Sequence, residues 1–102
     1  MKTITIAVKE PGKEWTLREV EDTLPTYQKI VGGLIESFWM DKNGLIFFCN
    51  EEGKFLDLKF NFRFFDDQIF GPVFAVRSDS EGEFCSVSEE DLQNLINNRI
   101  DN

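Results

Sequence analysis

The side chains in this sequence that could perform chemistry are carboxylates and two cysteine thiols. The chain has 102 residues, of which 19 are acidic and none is histidine, so the commonest general base and metal ligand are absent. Adjacent acids occur at Glu51-Glu52 and Asp66-Asp67, and two carboxylates with separated pKa values could supply an acid and a base. Each pair lies in a turn-like stretch, where carboxylates are usually solvated. We therefore predict that the protein is not an enzyme, and an enzyme using carboxylates alone is the less favoured hypothesis.

Neither a metal ion nor a cofactor is expected from the other residue types. Cys49 and Cys85 are well separated, and two cysteines without histidine cannot complete a four-ligand zinc shell. We interpret them as buried thiols in a reducing compartment, with a disulfide as the alternative. The run Val31-Gly32-Gly33-Leu34 lacks the lysine and the hydroxyl residue of a phosphate-binding loop, so we interpret it as the end of a helix.

The acidity of the chain limits the partners it can have. Nineteen acidic residues against 11 basic ones give a net charge of −8, which repels nucleic-acid phosphates and anionic membrane surfaces. The longest apolar run, residues 30–35, is too short to cross a bilayer, and the first residues do not have the pattern of a signal peptide. We therefore expect a cytoplasmic protein that binds neither nucleic acid nor membrane and whose partner is another protein.

Alternating apolar residues predict the strands. Alternation over residues 3–8 and 15–20, on either side of Pro11-Gly12, predicts a hairpin. Asn43-Gly44 is a strong signal for a tight turn between two further strands. The other predicted strands cover residues 34–40, 45–49, 56–64, 69–76 and 83–87.

Two stretches have the apolar spacing of helices. Thr23 is a suitable N-cap, and the residues after it predict a helix over about 23–32. Ser88 followed by Asp91 has the form of a capping box and predicts a second helix over about 88–99.

These elements together predict an α+β fold. Runs of strands joined by tight turns form antiparallel sheets, on which helices pack. The chain length is that of one domain. We therefore predict a single domain over residues 1–102, with a mainly antiparallel sheet of about five to seven strands and the two helices packed on it.

The strand predicted over residues 56–64 offers one candidate binding surface. Alternate side chains on a strand share a face, so its apolar residues would be buried and its polar residues exposed. An ordinary solvent-facing surface is the alternative interpretation. The exposed row would consist of Asp57, Lys59, Asn61 and Arg63.

A second candidate surface is acidic. Residues i and i+2 of a strand lie about 6.5–7 Å apart on one face, which is close to the spacing of successive phosphates along a nucleic-acid strand. The alternative is that these acids only keep the protein soluble. The candidate acidic surface consists of Glu19, Glu21, Asp79, Glu81 and Glu83.

Several short motifs occur in an order that resembles a known family. They are Glu10-Pro11-Gly12-Lys13, Val31-Gly32-Gly33-Leu34-Ile35-Glu36, Asn50-Glu51-Glu52-Gly53-Lys54, Ile69-Phe70-Gly71 and Glu83-Phe84-Cys85-Ser86-Val87. With them the chain resembles a family of small domains of unknown function carried by phages, plasmids and conjugative elements of bacteria. The resemblance implies an accessory protein of a mobile element and supplies no activity or site residue.

Two functional hypotheses follow for a protein of this kind. The first is a non-catalytic accessory protein of a mobile element or its host, which acts by binding another protein and can form a homodimer through an edge strand or the phenylalanine-rich strand. The alternative is an acidic DNA mimic, an anti-defence inhibitor that occupies the nucleic-acid site of a host nuclease or restriction system. The mobile-element setting is implied by the resemblance alone.

Overall fold

The computed structural model describes residues 2–97, and these form eight strands and two helices. In chain order they are β1 (Thr3–Lys9), β2 (Thr16–Glu21), α1 (Leu24–Val31), β3 (Ile35–Met40), β4 (Leu45–Asn50), β5 (Phe60–Phe64), β6 (Asp67–Phe70), β7 (Val73–Ser78), β8 (Phe84–Cys85) and α2 (Glu89–Asn97).

The strands form two sheets. The main sheet has the order β2-β1-β7-β4-β3, and the short β8 pairs with the end of β7. Strands β5 and β6 form a separate two-stranded hairpin. Every strand pair in residues 2–97 is antiparallel, so the α+β fold with two helices on a mainly antiparallel sheet is confirmed.

Both helices begin at the capping residues that the sequence predicts. The Oγ1 of Thr23 accepts a hydrogen bond from the backbone N–H of Thr26, and α1 ends at Gly32, whose φ of 81° is accessible to glycine at little cost. Helix α2 follows Ser88, and the residues beyond 97 to which it is predicted to extend lie outside the described part of the chain. Neither helix is long and apolar enough to cross a membrane.

Each face of the main sheet packs against a different set of elements. Helix α1 covers one face, where Tyr27 stacks on Phe74 with ring centroids 4.9 Å apart. On the opposite face α2 and the β5–β6 hairpin together cover the sheet, and Trp15 and Phe47 lie in the core beneath them. The order of layers is therefore α1, main sheet, then α2 beside the hairpin.

The predicted continuous strand over residues 56–64 is wrong in its first half. Strand β5 begins only at Phe60, and Asp57 lies in the preceding turn with a φ of 57°. The register with β6 shifts between Phe60 and Phe62, which is the pattern of a β-bulge at Asn61. Because of this bulge Asn61 and Phe62 are both buried, at 6% and 2% exposure, and alternation fails there.

The buried Asn61 side chain fastens the β5–β6 hairpin to the main sheet. Its Nδ2 donates to the backbone carbonyls of Lys9 and Gly71 at 2.9 and 2.8 Å. Its Oδ1 accepts a hydrogen bond of 2.9 Å from Nζ of Lys9, which is itself buried. One amide thus serves as hydrogen-bond partner to two backbone carbonyls and to a buried ammonium group.

The strand predicted over residues 69–76 is two strands, β6 and β7, separated by Gly71-Pro72. Gly71 has a φ of 84°, and its N–H donates to the carbonyl of Lys59 at 2.7 Å. A Cβ at this position would lie 2.7 Å from Cδ1 of Leu58, so that side chain would have to shift, and the positive φ would strain any residue larger than glycine. The chain turns here from the hairpin into the centre of the main sheet.

Substitution Asn61→Ala should lower the free energy of unfolding by about 2–3 kcal/mol, because it leaves the Lys9 ammonium and two carbonyls without this partner. Urea denaturation followed by circular dichroism measures the change. Arg63→Ala, on the exposed side of the same strand, is the matched control and should cost less than about 0.5 kcal/mol. Equal stabilities of the two variants would contradict the role assigned to Asn61.

Candidate functional site

A β-bulge in β3 directs two consecutive aromatic side chains to the same face of the main sheet. The register shifts between Ser37 and Trp39, so that Phe38 has no partner on β4. Trp39 lies opposite Phe47, and residues directly opposite each other share a face. Phe47 belongs to the core beneath the hairpin, and Phe38 packs against that core too. Regular alternation would have placed Trp39 on the α1 side.

Trp39 meets the tip of the β5–β6 hairpin in a cluster of three aromatic rings, called here the aromatic rim: Trp39, Phe64 and Phe65. The ring centroid of Trp39 lies 5.2 Å from that of Phe64 and 5.5 Å from that of Phe65. Phe64 is buried, whereas Trp39 is 41% and Phe65 66% exposed. Large aromatic side chains grouped in this way at a surface are typical of interaction sites.

Phe65 occupies a backbone conformation that favours glycine. It is the first residue of the two-residue loop between β5 and β6, and its φ is 55°. A positive φ is costly for a residue with a Cβ, and glycine is the usual residue at this position of a tight hairpin. The sequence therefore keeps an exposed aromatic ring next to Trp39 at a cost in stability, which is a pattern found at functional sites.

Beside the aromatic rim, Arg77 of β7 and Asp91 of α2 form an ion pair through two parallel hydrogen bonds. Nε of Arg77 donates to Oδ2 of Asp91 at 2.8 Å, and Nη2 donates to Oδ1. Nη1 donates to the backbone carbonyl of Asn43 at 2.7 Å. The guanidinium thus joins the start of α2 to the β3–β4 turn.

The Asp91 carboxylate also completes the predicted capping box of α2. Its Oδ2 accepts from the backbone N–H of Ser88 at 2.8 Å, and Oγ of Ser88 accepts from the N–H of Asp91 at 3.0 Å. The bond from Arg77, helped by the bonds from Ser88, lowers the pKa of Asp91 from 3.8 to about 2. Asp91 is therefore charged at every physiological pH.

Asp41 forms the tight turn between β3 and β4. Its Oδ1 accepts hydrogen bonds from the N–H groups of Asn43 and Leu45 at 2.8 and 3.0 Å, which is an Asx-type turn. Its Oδ2 accepts no hydrogen bond from the residues that the structure describes. One carboxylate oxygen is thus available to an incoming group.

These groups surround a cavity of about 310 Å³, called here the rim cavity. Its walls come from the β3–β4 hairpin, the tip of the β5–β6 hairpin, β7 and α2. A concave site with aromatic walls and a few fixed polar groups is the usual form of a binding site. The residues that line it are Trp39, Asp41, Asn43, Leu45, Phe47, Phe64, Phe65, Arg77, Asp91, Asn94 and Leu95.

The predicted row Asp57, Lys59, Asn61 and Arg63 does not form one surface. Asp57 precedes β5 and Asn61 is buried, so the prediction that they share an exposed face with the others is wrong for these two residues. Lys59 and Arg63 are exposed. None of the four lines the rim cavity.

The predicted acidic surface is split between two elements. Glu19 and Glu21 are exposed on β2, an edge of the main sheet, with the strand spacing that the prediction used. The other three lie in the loop between β7 and β8, where Oδ1 of Asp79 accepts from the N–H groups of Glu81 and Glu83, both at 2.9 Å. The prediction of strand spacing for Asp79, Glu81 and Glu83 is wrong, because this segment is a tight turn.

The remaining candidate groups for chemistry lie outside the rim cavity. Cys49 and Cys85 are both free thiols, and Cys49 is buried as predicted, whereas the prediction is wrong for Cys85, which is only half-buried. Burial, with Glu36 nearby, raises the pKa of Cys49 to about 11, so its thiol stays protonated. Asp67 pairs with Lys54 at 2.8 Å, and this contact lowers the pKa of Asp67. Among residues 2–97 no group of three or more acids or cysteines is arranged to hold a metal ion.

Sequence reasoning missed Trp39, Asp41, Phe65 and Arg77. A sequence signal was available for Asp41, which directly precedes Lys42-Asn43-Gly44. Aspartate at such a position often accepts hydrogen bonds from the backbone of a tight turn. The positions of Trp39 and Phe65 depend on a bulge and on a strained loop residue, which have no clear sequence pattern here.

By its fold the protein is an α+β domain built on a mainly antiparallel sheet, with an aromatic-rimmed cavity on the side covered by α2. Residues 2–100 match the family described as a domain of unknown function, DUF3846, and the chain belongs to that family. No curated protein and no solved structure matches the chain.

The Arg77–Asp91 pair should make stability depend on acid pH. Because folding lowers the pKa of Asp91, its contribution is complete above the ordinary value of 3.8 and is lost as the pH falls from about 4 to about 2. Asp91→Asn should cost about 1–3 kcal/mol at neutral pH, and the difference from wild type should shrink over that acid range. Urea denaturation between these pH values measures it.

Glu90→Gln is the control for Asp91→Asn, since Glu90 is the exposed neighbour in the same helical turn. It should cost less than about 1 kcal/mol and keep the acid dependence of the wild type. A constant gap between Asp91→Asn and wild type at all pH values would contradict the assignment.

Strain at Phe65 can be measured with two variants that both remove the ring. Phe65→Gly should be more stable than Phe65→Ala by about 1 kcal/mol, because only glycine adopts the positive φ without a Cβ penalty. Thermal and urea unfolding of the pair measure the difference. If the alanine variant is equally stable, the loop is not strained.

Proposed function

We propose that this protein is a non-catalytic binding module whose rim cavity holds a side chain of a protein partner. The observation that carries the proposal is the pairing of two exposed aromatic side chains, Trp39 and Phe65, with a cavity whose polar walls are fixed by Arg77 and Asp91. Tryptophan and arginine are the residue types most enriched among side chains that dominate binding energy at protein interfaces.

The energetics of the rim support a role in binding rather than in folding. Trp39 and Phe65 leave much of their apolar area in water, and Phe65 adds backbone strain. Burial of such area by a partner is favourable at roughly 25 cal/mol per Å². Because the polar cavity walls are already held by hydrogen bonds, binding does not have to order them, which lowers the entropic cost of association.

We place this binding module among the accessory proteins of mobile genetic elements or their hosts, with a cytoplasmic location and no direct contact with nucleic acid. The resemblance to domains carried by phages and plasmids motivates the setting, and the net charge of −8 motivates the exclusion of nucleic acid. Self-association through an edge strand stays a prediction.

The alternative, an acidic DNA mimic, has less support. It needs one continuous face of regularly spaced acids. Three of the five acids predicted for that face lie in a tight turn, and the other two lie on the edge strand β2. The acidic DNA mimic therefore stays a prediction, and the rim cavity is the better supported site.

The proposal is tested by selecting peptides from a random displayed library on the wild-type protein. Binding of the selected peptides should fall at least roughly tenfold in the double variant Trp39→Ala/Phe65→Gly, because the two exposed rings are the anchors of the site. Isothermal titration measures the affinities, and circular dichroism checks that the variant is folded.

A matched control removes two exposed apolar side chains at another place. Phe55 and Leu56 are 88% and 51% exposed and do not line the rim cavity. Phe55→Ser/Leu56→Ser should leave the affinities unchanged. Peptides that bind the rim variant as tightly as wild type, or that depend on Phe55 and Leu56 instead, would show that the rim is not the site.

A further inference from the structure

We propose that the rim cavity recognises a cationic side chain, arginine or lysine, contributed by the protein partner. This inference rests on the proposed function and names the chemistry that the site selects. Three features carry it: the charge balance of the cavity lining, the free oxygen of Asp41 and the aromatic walls.

The described residues that line the cavity have an excess of negative charge. Two of them are acids and one is a base, so their net charge is −1. Arg77 is held by Asp91 through two hydrogen bonds, so these two charges compensate each other. Asp41, whose charge also acts on Arg77, is the acid in excess, and the whole chain, Asp41 included, has a net charge of −8. Lys42 and Arg63 do not line the cavity.

The Asp41 carboxylate is positioned before a ligand arrives. Two backbone N–H groups fix its Oδ1, while its Oδ2 accepts no bond from residues 2–97. A fixed carboxylate oxygen with free lone pairs accepts a charge-assisted hydrogen bond from a guanidinium or ammonium group. Because the turn already orders the side chain, a ligand does not have to immobilise it.

The aromatic walls favour the same ligand. A cation is attracted to the face of an aromatic ring, most strongly to that of tryptophan, and arginine also stacks on such faces. Trp39 and Phe65 both line the cavity, and their ring centroids are 5.5 Å apart. Their apolar faces can also cover the aliphatic stem of an arginine or lysine side chain.

An anionic side chain fits the cavity less well. The cation that could attract it, Arg77, already donates to both oxygens of Asp91 and to the carbonyl of Asn43. An acid would also approach Asp41, and like charges repel in a partly desolvated site. The cavity therefore selects against acids as well as for bases.

The test uses capped tripeptides that differ only in their central side chain: glycine-arginine-glycine, glycine-citrulline-glycine and glycine-glutamate-glycine. Titrations followed by the indole N–H resonance of Trp39 in nitrogen-15 NMR spectra measure binding to the full chain. The arginine peptide should bind more tightly than the citrulline peptide by roughly three- to tenfold, and added salt should weaken the arginine peptide alone.

Two isosteric variants distinguish the effect of the Asp41 charge on binding from the effect of the total charge of the protein. Asp41→Asn keeps an oxygen for the turn and removes the carboxylate, so the arginine peptide should bind roughly three- to tenfold more weakly. Asp79→Asn removes the same charge from a side chain with the same turn role that does not line the cavity. Affinity for the arginine peptide should be unchanged in this control.

Equal binding of the arginine and citrulline peptides, stronger binding of the glutamate peptide, or equal losses in Asp41→Asn and Asp79→Asn would overturn the cation inference. The proposed function fails by a different result, since it requires only that library-selected peptides depend on Trp39 and Phe65. If the selected peptides need both rings but carry no positive charge, the cation inference is refuted, whereas the proposed binding function still stands.

Discussion

Both faces of the main sheet are apolar, and each has to be covered by a short stretch of chain. Strand β7 shows the constraint most clearly, because Val73, Phe74, Ala75 and Val76 are all fully buried while pointing alternately to the two sides. Helix α1 covers one side. The other side is covered by two separate pieces, α2 and the β5–β6 hairpin, and the rim cavity is the gap where these two pieces and the β3–β4 turn meet.

Two polar contacts hold the separate pieces in place, and they determine how rigid the site is. The Asn61 amide joins the hairpin to the end of β1, and the Asp91 carboxylate joins the start of α2 to Arg77 of β7. Each contact uses a buried group with several hydrogen bonds, so breaking it leaves partners unsatisfied, which costs more than an average hydrogen bond contributes. Cavity walls fixed in this way suit the recognition of one kind of side chain.

The elements of the fold could be predicted because they depend on local signals. Thr23 and Ser88 mark the helix starts, and Asn43-Gly44 marks the turn between β3 and β4. The candidate site could not be predicted in the same way. Its residues come from elements that include β3, β5, β7 and α2, and no sequence pattern predicts which of these elements lie next to each other in the fold. The polar row predicted on β5 was wrong at Asn61, because alternation is a reliable guide only while a strand stays regular.

The sequence by itself determined the α+β class, the two helices, the acidity and the absence of histidine chemistry, since these depend on composition and on the spacing of neighbouring residues. Only the tertiary structure decided where Trp39 and Asn61 point. Each lies at a β-bulge, and a single extra residue in a strand moves the following side chains to the opposite face. The bulge in β3 brings Trp39 beside Phe65, and the bulge in β5 buries Asn61, so the exposed site and its support both arise from departures from alternation.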